Sequence, residues 1–350
     1  MTGLLTRLIG SLALAGALAA PAAARADSLD TAFDRTFGTE LRAPPEVVST
    51  VRPWAPTPSA SAPSVDVYGG GLEAQLATYA DAGQGRIGVA ALDLASGRMV
   101  SVLGDQPFPM ASTSKIAIVA TYLDGVDRGR WKLSDQFPLM VPVRSARFSS
   151  AVAPVRPGQQ MSAQSLIELA ITRSDNAATD ALLAAVGGPA AVNRWMRSAG
   201  LKGLRLDRDI ATLVRDDGEH DPARTVDLRD SATPVAMVQL LSGLYQGRWL
   251  SAQSRAVLIG AMERCVTGKN RMRALLPTDA RVAHKTGTLN NTASDVGIIN
   301  TPDGRAIAVA IYVTGQGGKA NRAARIASIA RVVYDGYLTE SSSLRRTASR

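Results

Sequence analysis

The compact part of the chain begins near Tyr68, where apolar residues first recur at regular spacing. Residues 70–83 carry apolar side chains at helical spacing, which predicts a short helix. Residues 86–105 contain two apolar runs on either side of Ser96-Gly97, which predicts two strands joined by a turn. A helix followed by a β-hairpin therefore opens the folded region.

Helical spacing dominates from about residue 110 to residue 245, and strand-like runs return after residue 280. Short turns separate these later runs, which are residues 281–288, 294–300 and 306–315. Connections this short indicate antiparallel pairing. A last helical pattern covers residues 320–338. The expected fold class is α/β: an antiparallel sheet flanked by terminal helices, with an all-α subdomain inserted at about residues 105–250.

The first 26 residues have the pattern of a secretory signal peptide. Arg7 precedes an apolar stretch at about residues 8–20, and residues 24–26 match an A-x-A cleavage site. The apolar stretch is shorter than the ~20 residues that a membrane-spanning helix needs. We expect cleavage after Ala26, export to the periplasm or the medium, and no stable membrane insertion of the mature protein.

Two further segments are expected to lie outside the folded domain. Residues 27–66 are rich in proline, serine and alanine, which indicates a lead followed by an extended linker. Residues 339–350 are polar and are expected to form a disordered tail. The folded domain is therefore predicted to span residues 67–338.

The rarer residue types argue against several kinds of site. Cys265 is the only cysteine, so an intramolecular disulfide is impossible, and we expect this residue to be a small core side chain. The only histidines are His220 and His284, which argues against a multi-histidine metal site and a Ser-His-Asp triad. We expect neither a metal nor an organic cofactor.

The formal net charge is +9 for the whole sequence and +7 once Arg7 and Arg25 leave with the signal peptide. The arginines are scattered along the chain, so a nucleic acid partner is not expected. The positive net charge is better explained by attraction to an anionic envelope polymer or to a carboxylate substrate. We expect a monomer that acts on a small molecule or a peptide.

Ser112 stands three residues before Lys115, and an apolar run follows at once. On a helix these two side chains share a face. A neutral lysine could accept the serine proton, and a charged lysine could stabilise the alkoxide. The motif S-x-x-K is short enough to occur by chance in a chain of this length, so it needs support from other residues.

Two further motifs carry groups suited to the same chemistry. S-D-N at residues 174–176 opens a helical run, where it could move a proton and hold a substrate carbonyl, or simply cap the helix. K-T-G at residues 285–287 lies on a strand, where the lysine and threonine could bind a carboxylate and the glycine permits close approach. A charged edge strand that resists aggregation would look similar.

The three motifs together, in this order and in these elements, are the signature of class A β-lactamases and penicillin-binding proteins. The chain resembles the class A serine β-lactamase family from about Gly70 to Leu338, with support from "FPMASTSK", "ITRSDNAATDALLAAVGGPAAV" and "VAHKTGT". The resemblance implies a three-layer sandwich with an inserted helical subdomain. It makes residues 67–338 a catalytic domain that opens the amide of a β-lactam through an acyl-enzyme.

Roles for the reacting groups follow from this resemblance. Ser112 would be the acylated nucleophile, and Lys115 its proton acceptor or relay. Ser174 would pass a proton to the leaving nitrogen. The backbone N–H groups of Ser112 and Thr288 would form an oxyanion hole.

The resemblance also implies how the substrate is held. Asn176 would contact the side-chain amide of the substrate. Lys285 and Thr286 would receive its carboxylate beside Gly287 and Thr288. Phe148 could form an aromatic wall at the mouth of the pocket, or it could anchor a buried loop.

The chain departs from the family pattern in the loop that should supply the deacylating base. The family has a glutamate two residues after the arginine of L-D-R, whereas Ile210 stands at that distance from Arg208. The loop from Arg208 to Asp230, a pair expected to close its neck, is also longer than usual. The candidate substitutes are Glu219 first, then Asp209 and Asp217, although all three could be solvated loop acids.

Without a deacylating base, the acyl-enzyme would form and then stall. The chain would in that case be a penicillin-binding protein, a slow lactamase or a D-alanyl-D-alanine peptidase that acts on cell-wall peptides. A non-hydrolytic sensor of β-lactams or muropeptides is a further alternative. A Gly-rich turn at residues 315–320 partly fits a nucleotide-binding pattern, but no strand with an acidic residue follows it.

Overall fold

A computed structural model of the chain describes residues 71–143 and 151–348, with side chains to residue 339. The predicted signal peptide, the predicted linker and Phe148 lie outside the described residues. Within the described ranges, none of the helices combines the length and apolar character that a membrane-spanning segment requires.

The terminal helices and the strands of the central sheet follow the order that the sequence pattern predicts. The strands are β1 (Ile87–Asp93), β2 (Met99–Val102), β3 (Phe108–Pro109), β4 (Gln136–Pro142), β5 (Val155–Ser162), β6 (Leu204–Arg205), β7 (Ser231–Ala232), β8 (Arg281–Leu289), β9 (Thr292–Asn300) and β10 (Ala306–Thr314). The helices are α1 (Gly71–Tyr79), α2 (Lys115–Asp127), α3 (Ala163–Glu168), α4 (Asn176–Val186), α5 (Gly188–Ser198), α6 (Ile210–Arg215), α7 (Pro234–Tyr245), α8 (Ala252–Glu263) and α9 (Lys319–Ala348). A 3₁₀ turn, Ala111–Ser114, precedes α2, and a π-helical turn, Leu169–Arg173, follows α3.

The central sheet has the strand order β2-β1-β10-β9-β8, and neighbouring strands are antiparallel, as the short turns predict. Every residue of β1 is buried, so both faces of the sheet are covered. Successive residues of β1 enter different cores: Val89 packs with the terminal helices, whereas Ala90 packs with the inserted helices. The fold is therefore three layers deep, and the prediction of an antiparallel sheet between helical layers is confirmed.

The terminal helices α1 and α9 cover one face of the sheet. They approach closely because Gly336 has no side chain: a Cβ at this position would lie 2.3 Å from Leu72 Cδ1. Helix α9 continues to Ala348, whereas the sequence analysis expected the chain to lose regular structure at residue 339. Residues 339–348 contain neither proline nor glycine, so no helix breaker ends the pattern there.

The inserted region was expected to be all-α between about residues 105 and 250, and in this respect the prediction is wrong. A two-stranded sheet, β4-β5, and a three-stranded sheet, β3-β7-β6, lie within it. Strand β4 includes Pro138 and strand β5 includes Pro157, which weakens their strand signal, and the register shifts after Pro138. The strands of the three-stranded sheet span two residues each, which is too short to show the two-residue alternation of apolar and polar side chains that marks a strand.

Candidate active site

The segment before α2 holds Ser112 in a strained turn. Ala111 has a φ of +48°, a left-handed conformation that is uncommon outside glycine. The turn is held by Met110, whose carbonyl accepts hydrogen bonds from the backbone N–H of Thr113 at 3.0 Å and from its Oγ1 at 2.7 Å. Ser112 is partly exposed at this point, whereas Lys115 is fully buried. Strain of this kind is often kept where a side chain must be presented for chemistry.

Lys115 points from the first turn of α2 to the residues of the S-D-N motif. Its Nζ donates hydrogen bonds to Asn176 Oδ1 at 2.8 Å and to Ser174 Oγ at 3.1 Å, and it also contacts the carbonyl oxygen of Ser174. A buried ammonium is costly unless oxygen acceptors surround it, and these three contacts supply them. The structure therefore joins the first two motifs directly.

Local geometry explains how Ser174 and Asn176 face the lysine. The π-helical turn ends at Ser174, which takes a left-handed conformation with a φ of +63°. Asp175, between them, caps α4 by accepting the N–H of Ala178 at 2.7 Å. Asp175 therefore performs the capping that was the simpler explanation of this motif, and the two flanking side chains are directed to Lys115.

Strand β8 lies against the strained turn because Gly287 has no side chain. A Cβ on Gly287 would lie 2.7 Å from the carbonyl oxygen of Met110 and 3.1 Å from Ala111 Cβ. Lys285 is fully buried, and its Nζ donates to the carbonyl oxygen of Thr286 at 2.9 Å. The third motif thus lies beside Ser112, on the edge strand of the central sheet.

Thr286 and Thr288 have hydroxyl partners outside the three motifs. Thr286 Oγ1 lies 2.6 Å from Thr267 Oγ1, and Thr288 Oγ1 accepts a hydrogen bond from Arg271 Nη2 at 2.6 Å. Arg271 also donates to the carbonyl oxygen of Gly287 at 2.9 Å. The sequence analysis missed this buried arginine, because one basic residue in a loop carries no periodic or motif signal.

Three basic side chains are buried in the region between these elements, which we call the cleft: Lys115, Lys285 and Arg271. Buried cations act in a medium of low dielectric, where their field is weakly screened. The arrangement can therefore hold a carboxylate and stabilise negative charge that develops on a nearby oxygen.

Ion pairs close the base of the long loop as expected. Arg208 Nε lies 2.6 Å from Asp230 Oδ2, and Arg208 Nη1 lies 3.2 Å from Asp216 Oδ2. Asp230 Oδ1 also accepts the backbone N–H groups of Asp207 and Arg208, at 2.7 and 3.0 Å. The neck predicted from the sequence is confirmed.

Each candidate loop acid has a contact of its own. Asp209 caps α6 by accepting the N–H of Thr212 at 2.7 Å. Asp217 accepts the N–H of Asn290, at the turn after β8, with both oxygens. Glu219 forms an ion pair of 3.4 Å with Arg229, and about half of its side chain is exposed. These contacts place Glu219 on the outer surface of the loop and Asp217 at the rim of β8.

A buried acid that the sequence analysis did not single out lies on α4. Asp180 accepts the N–H groups of Ile210 and Ala211. Burial raises the pKa of Asp180 to about 7, and the nearby charge of Asp209 adds to this, whereas the two N–H groups and Lys115 oppose it. An acid in the middle of a helical pattern usually faces solvent, so the sequence offered no reason to select it.

Among the described residues, no group of three or more histidine, cysteine or acidic side chains is placed to hold a metal ion. The chemistry of the cleft, as the structure describes it, lies in its hydroxyl groups, its ammonium groups and the backbone N–H groups at the turn and the strand.

Comparison with known proteins gives a consistent family. The profile of the β-lactamase enzyme family matches residues 71–337. The extended-spectrum β-lactamase PER-1 of Pseudomonas aeruginosa is 31% identical over 252 residues, which are 68% of this chain and 78% of that protein. β-Lactamase CTX-M-25 of Escherichia coli is 33% identical over 269 residues, which are 76% of this chain and 89% of that protein.

Solved structures give the same result. An ancestral class A β-lactamase superposes with a TM-score of 0.64 at 37% identity, over 76% of this chain and 100% of that one. A β-lactamase from Chitinophaga pinensis superposes with a TM-score of 0.64 at 27% identity, over 76% of this chain and 97% of that one.

Proposed function

Since the chain belongs to the β-lactamase enzyme family, we propose that it is a serine hydrolase that opens the β-lactam amide through an acyl-enzyme on Ser112. The observation that carries the proposal is the contact of Lys115 Nζ with Ser174 Oγ at 3.1 Å and Asn176 Oδ1 at 2.8 Å. Two side chains that stand 59 and 61 positions after Lys115 are thereby brought to its buried amino group, beside a partly exposed serine.

Acylation would begin with attack of Ser112 Oγ on the lactam carbonyl carbon. This step requires Lys115 in its neutral amine form: Nζ accepts the proton of Ser112 and passes a proton across the 3.1 Å contact to Ser174. Ser174 protonates the lactam nitrogen as the C–N bond breaks, so the proton lost by one serine is returned by the other. The N–H groups of Ser112 and Thr288 would stabilise the oxyanion, an effect worth about 3 kcal/mol per donor in other hydrolases.

Substrate binding would use the positive cleft. The carboxylate of the β-lactam would lie near Lys285, Thr286 and Thr288, with Arg271 holding the Thr288 hydroxyl in place. Asn176 would contact the amide of the substrate side chain while it also accepts from Lys115.

Hydrolysis of the acyl-enzyme needs a water molecule and a base. Asp209 is the favoured candidate among the loop acids, because its charge acts on Asp180, which in turn interacts with Lys115. All three loop acids already have a partner: Glu219 pairs with Arg229, Asp209 accepts the N–H of Thr212, and Asp217 accepts the N–H of Asn290. No metal or organic cofactor takes part in this scheme.

We further propose that the protein is exported, that residues 1–26 are removed after Ala26, and that the mature protein is a monomer. Sequencing of the mature N-terminus would test the cleavage site, and light scattering would test the oligomeric state. An N-terminus at residue 1 or a stable dimer would overturn the respective proposal.

The function is tested by hydrolysis of a chromogenic cephalosporin. Ser112→Ala should abolish steady turnover, whereas the exposed control Ser134→Ala should keep it. Lys285→Ala should raise KM for the anionic substrate, and the exposed Lys269→Ala should not.

A stoichiometric burst without turnover would contradict a lactamase and favour a penicillin-binding protein or a sensor. Release of D-alanine from a pentapeptide would favour a peptidase.

A further inference from the structure

A second cluster of reactive groups lies behind strand β8, on the sheet face that packs against the terminal helices. Cys265, His284 and Asp295 are buried there, and His284 and Asp295 are completely inaccessible. Thr286 is paired with Asp295 across the strands and stands two residues after His284, so these three side chains share one face. Lys285 lies on the opposite face. The cluster is therefore separated from the Ser112 cleft by one strand.

Asp295 fixes the orientation of the histidine ring. Its Oδ1 lies 2.8 Å from His284 Nδ1, and its Oδ2 accepts the backbone N–H of Met272 at 3.1 Å. The ring has room because Gly297 stands opposite it: a Cβ there would lie 2.8 Å from His284 Cβ. A carboxylate that binds one ring nitrogen leaves the other nitrogen to act on a different group.

The imidazole of His284 lies close enough to the thiol of Cys265 for each group to shift the pKa of the other. Its second ring nitrogen, Nε2, is completely buried and makes no hydrogen bond among the described residues. Burial lowers the pKa of His284, but the carboxylate of Asp295 and the contact with Cys265 outweigh it and raise the pKa. For Cys265 the effects are reversed. Burial alone would raise the pKa of the thiol, but His284, the charge of Lys285 and the hydroxyl of Thr267 together lower it. The two groups thus favour a thiolate beside an imidazolium.

Two hydroxyl groups connect this thiol to the active-site strand. Cys265 Sγ lies 3.3 Å from Thr267 Oγ1, and Thr267 Oγ1 lies 2.6 Å from Thr286 Oγ1. Thr286 belongs to the K-T-G motif. A change in the size or polarity of the sulfur is therefore transmitted through one side chain to a residue that lines the proposed carboxylate site.

We propose that Cys265, His284 and Asp295 form a reactive thiol site that small uncharged peroxides oxidise to a sulfenic acid, and that this oxidation lowers the activity of the adjoining cleft. The oxidation itself is independent of the function proposed above, whereas the effect on activity rests on that function. The site is confined to small oxidants because 3% of the Cys265 surface is accessible.

The reaction balances with groups that the site contains and one peroxide molecule. The thiolate sulfur attacks one peroxide oxygen, the S–O bond forms and the O–O bond breaks. The sulfur is oxidised by two electrons and the peroxide is reduced. The leaving hydroxide takes the proton of His284 Nε2 and departs as water, which leaves a neutral imidazole beside a sulfenic acid. A low thiol pKa and an adjacent acid are the features of cysteines that react in this way.

Oxidation would disturb β8 because the surroundings of the sulfur are closely packed. An added oxygen needs space and a hydrogen-bond partner, and Thr267 is the hydroxyl within reach. Displacement of Thr267 breaks its contact with Thr286 or carries Thr286 with it. Buried cores accommodate an added atom by shifts of neighbouring side chains or backbone.

The test measures labelling of the mature protein, a readout that needs no turnover. The protein is treated with hydrogen peroxide, and a sulfenic-acid-selective dione is added. After digestion, the mass of the peptide that contains Cys265 is measured by mass spectrometry. We expect labelling at least 10-fold faster than for free cysteine at the same pH. His284→Gln should slow it at least 10-fold, and Cys265→Ser should abolish it. A bulky aromatic disulfide reagent should not react with the native thiol.

Activity supplies the second measurement. Peroxide should lower cephalosporin hydrolysis at least threefold in the wild type, dithiothreitol should restore it, and Cys265→Ser should keep full activity throughout. If His284→Gln fails to fold by circular dichroism, Asp295→Asn replaces it and should slow labelling in the same direction. Absence of the label, or equal rates in the wild type and the folded variant, would overturn the thiol site. Labelling without loss of hydrolysis would overturn the coupling.

Discussion

The carboxylate of Asp180 accepts the backbone N–H of Ile210 at 2.7 Å and that of Ala211 at 2.9 Å. Ile210 stands where the family resemblance places a glutamate, and an acid from helix α4 holds its backbone N–H. Because Asp180 is buried and interacts with Lys115, it links the first turn of α6 to the buried ammonium. The loop is therefore positioned by an acid beneath it.

The raised pKa of Asp180 gives a pH-dependent stability. Its native pKa of about 7 exceeds the ordinary aspartate pKa of 3.8, so the native protein binds this proton more tightly than the unfolded chain does. The free energy of unfolding should therefore fall as pH rises from about 4 to 7, by up to about 4 kcal/mol. Asp180→Asn should remove this slope in urea denaturation, and the exposed Asp105→Asn should not. If the free energy of unfolding changed with pH in the same way in the wild type and in Asp180→Asn, the raised pKa would not belong to Asp180.

The separation of β8 from the strained turn depends on Gly287. A methyl group there would meet the Met110 carbonyl at 2.7 Å and Ser294 Oγ at 2.5 Å, so Gly287→Ala should push the strand from Ser112. Acylation measured by rapid quench should slow about 10²-fold, as expected for a displacement near 1 Å. Gly318→Ala, which meets no atom within 4 Å, is the matched control. Unchanged acylation in Gly287→Ala would show that this approach is unimportant.

Ser174 combines a strained backbone with a proposed proton donor, and two substitutions separate these properties. Ser174→Ala keeps the cost of a φ of +63°, whereas Ser174→Gly relieves it. We expect both variants to acylate about 10²–10⁴-fold more slowly, because each lacks the hydroxyl. In thermal denaturation, Ser174→Gly should be more stable than Ser174→Ala by about 1 kcal/mol. An alanine variant with normal acylation would exclude Ser174 from proton transfer.

The neck of the long loop should be the strongest ion pair on this side of the molecule. Asp230→Ala leaves Arg208, whose side chain is 12% exposed, without its closest carboxylate. We expect a loss of about 3–5 kcal/mol in unfolding free energy and faster proteolysis between residues 208 and 230. Asp207→Ala breaks the exposed pair with Arg205 and should change neither measurement. Equal effects of the two variants would argue against a buried neck.

Much of the fold could be predicted from the sequence because its signals are local. The runs that became β8, β9 and β10 are apolar and separated by short turns, which fixes both the strands and their antiparallel pairing. Strand β4 was not predicted, because it contains Pro138 and is only partly buried. Its sequence therefore shows no clear alternation of apolar and polar residues. Its stability comes from pairing with β5 and packing on α4, which no local pattern reports.

The site divides in the same way. Ser112, Ser174 and Lys285 belong to motifs and could be selected by type and spacing, and the structure brings their elements together. Asp180 could not be selected, since its burial depends on the loop that folds over it. The proximity of Cys265 to His284 was equally hidden, because 18 residues separate them, Cys265 has no motif around it, and His284 adjoins K-T-G without belonging to it.

The central claim is that Ser112 carries the acyl group, and intact-protein mass spectrometry after mixing with a penicillin tests it most directly. We predict a mass increase of one whole penicillin that rises within the mixing time and then decays as free enzyme returns, and digestion of the quenched protein should locate it on the peptide that contains Ser112. The Ser112→Ala protein should show none. An adduct on another residue, or hydrolysis by Ser112→Ala at the wild-type rate, would contradict the account.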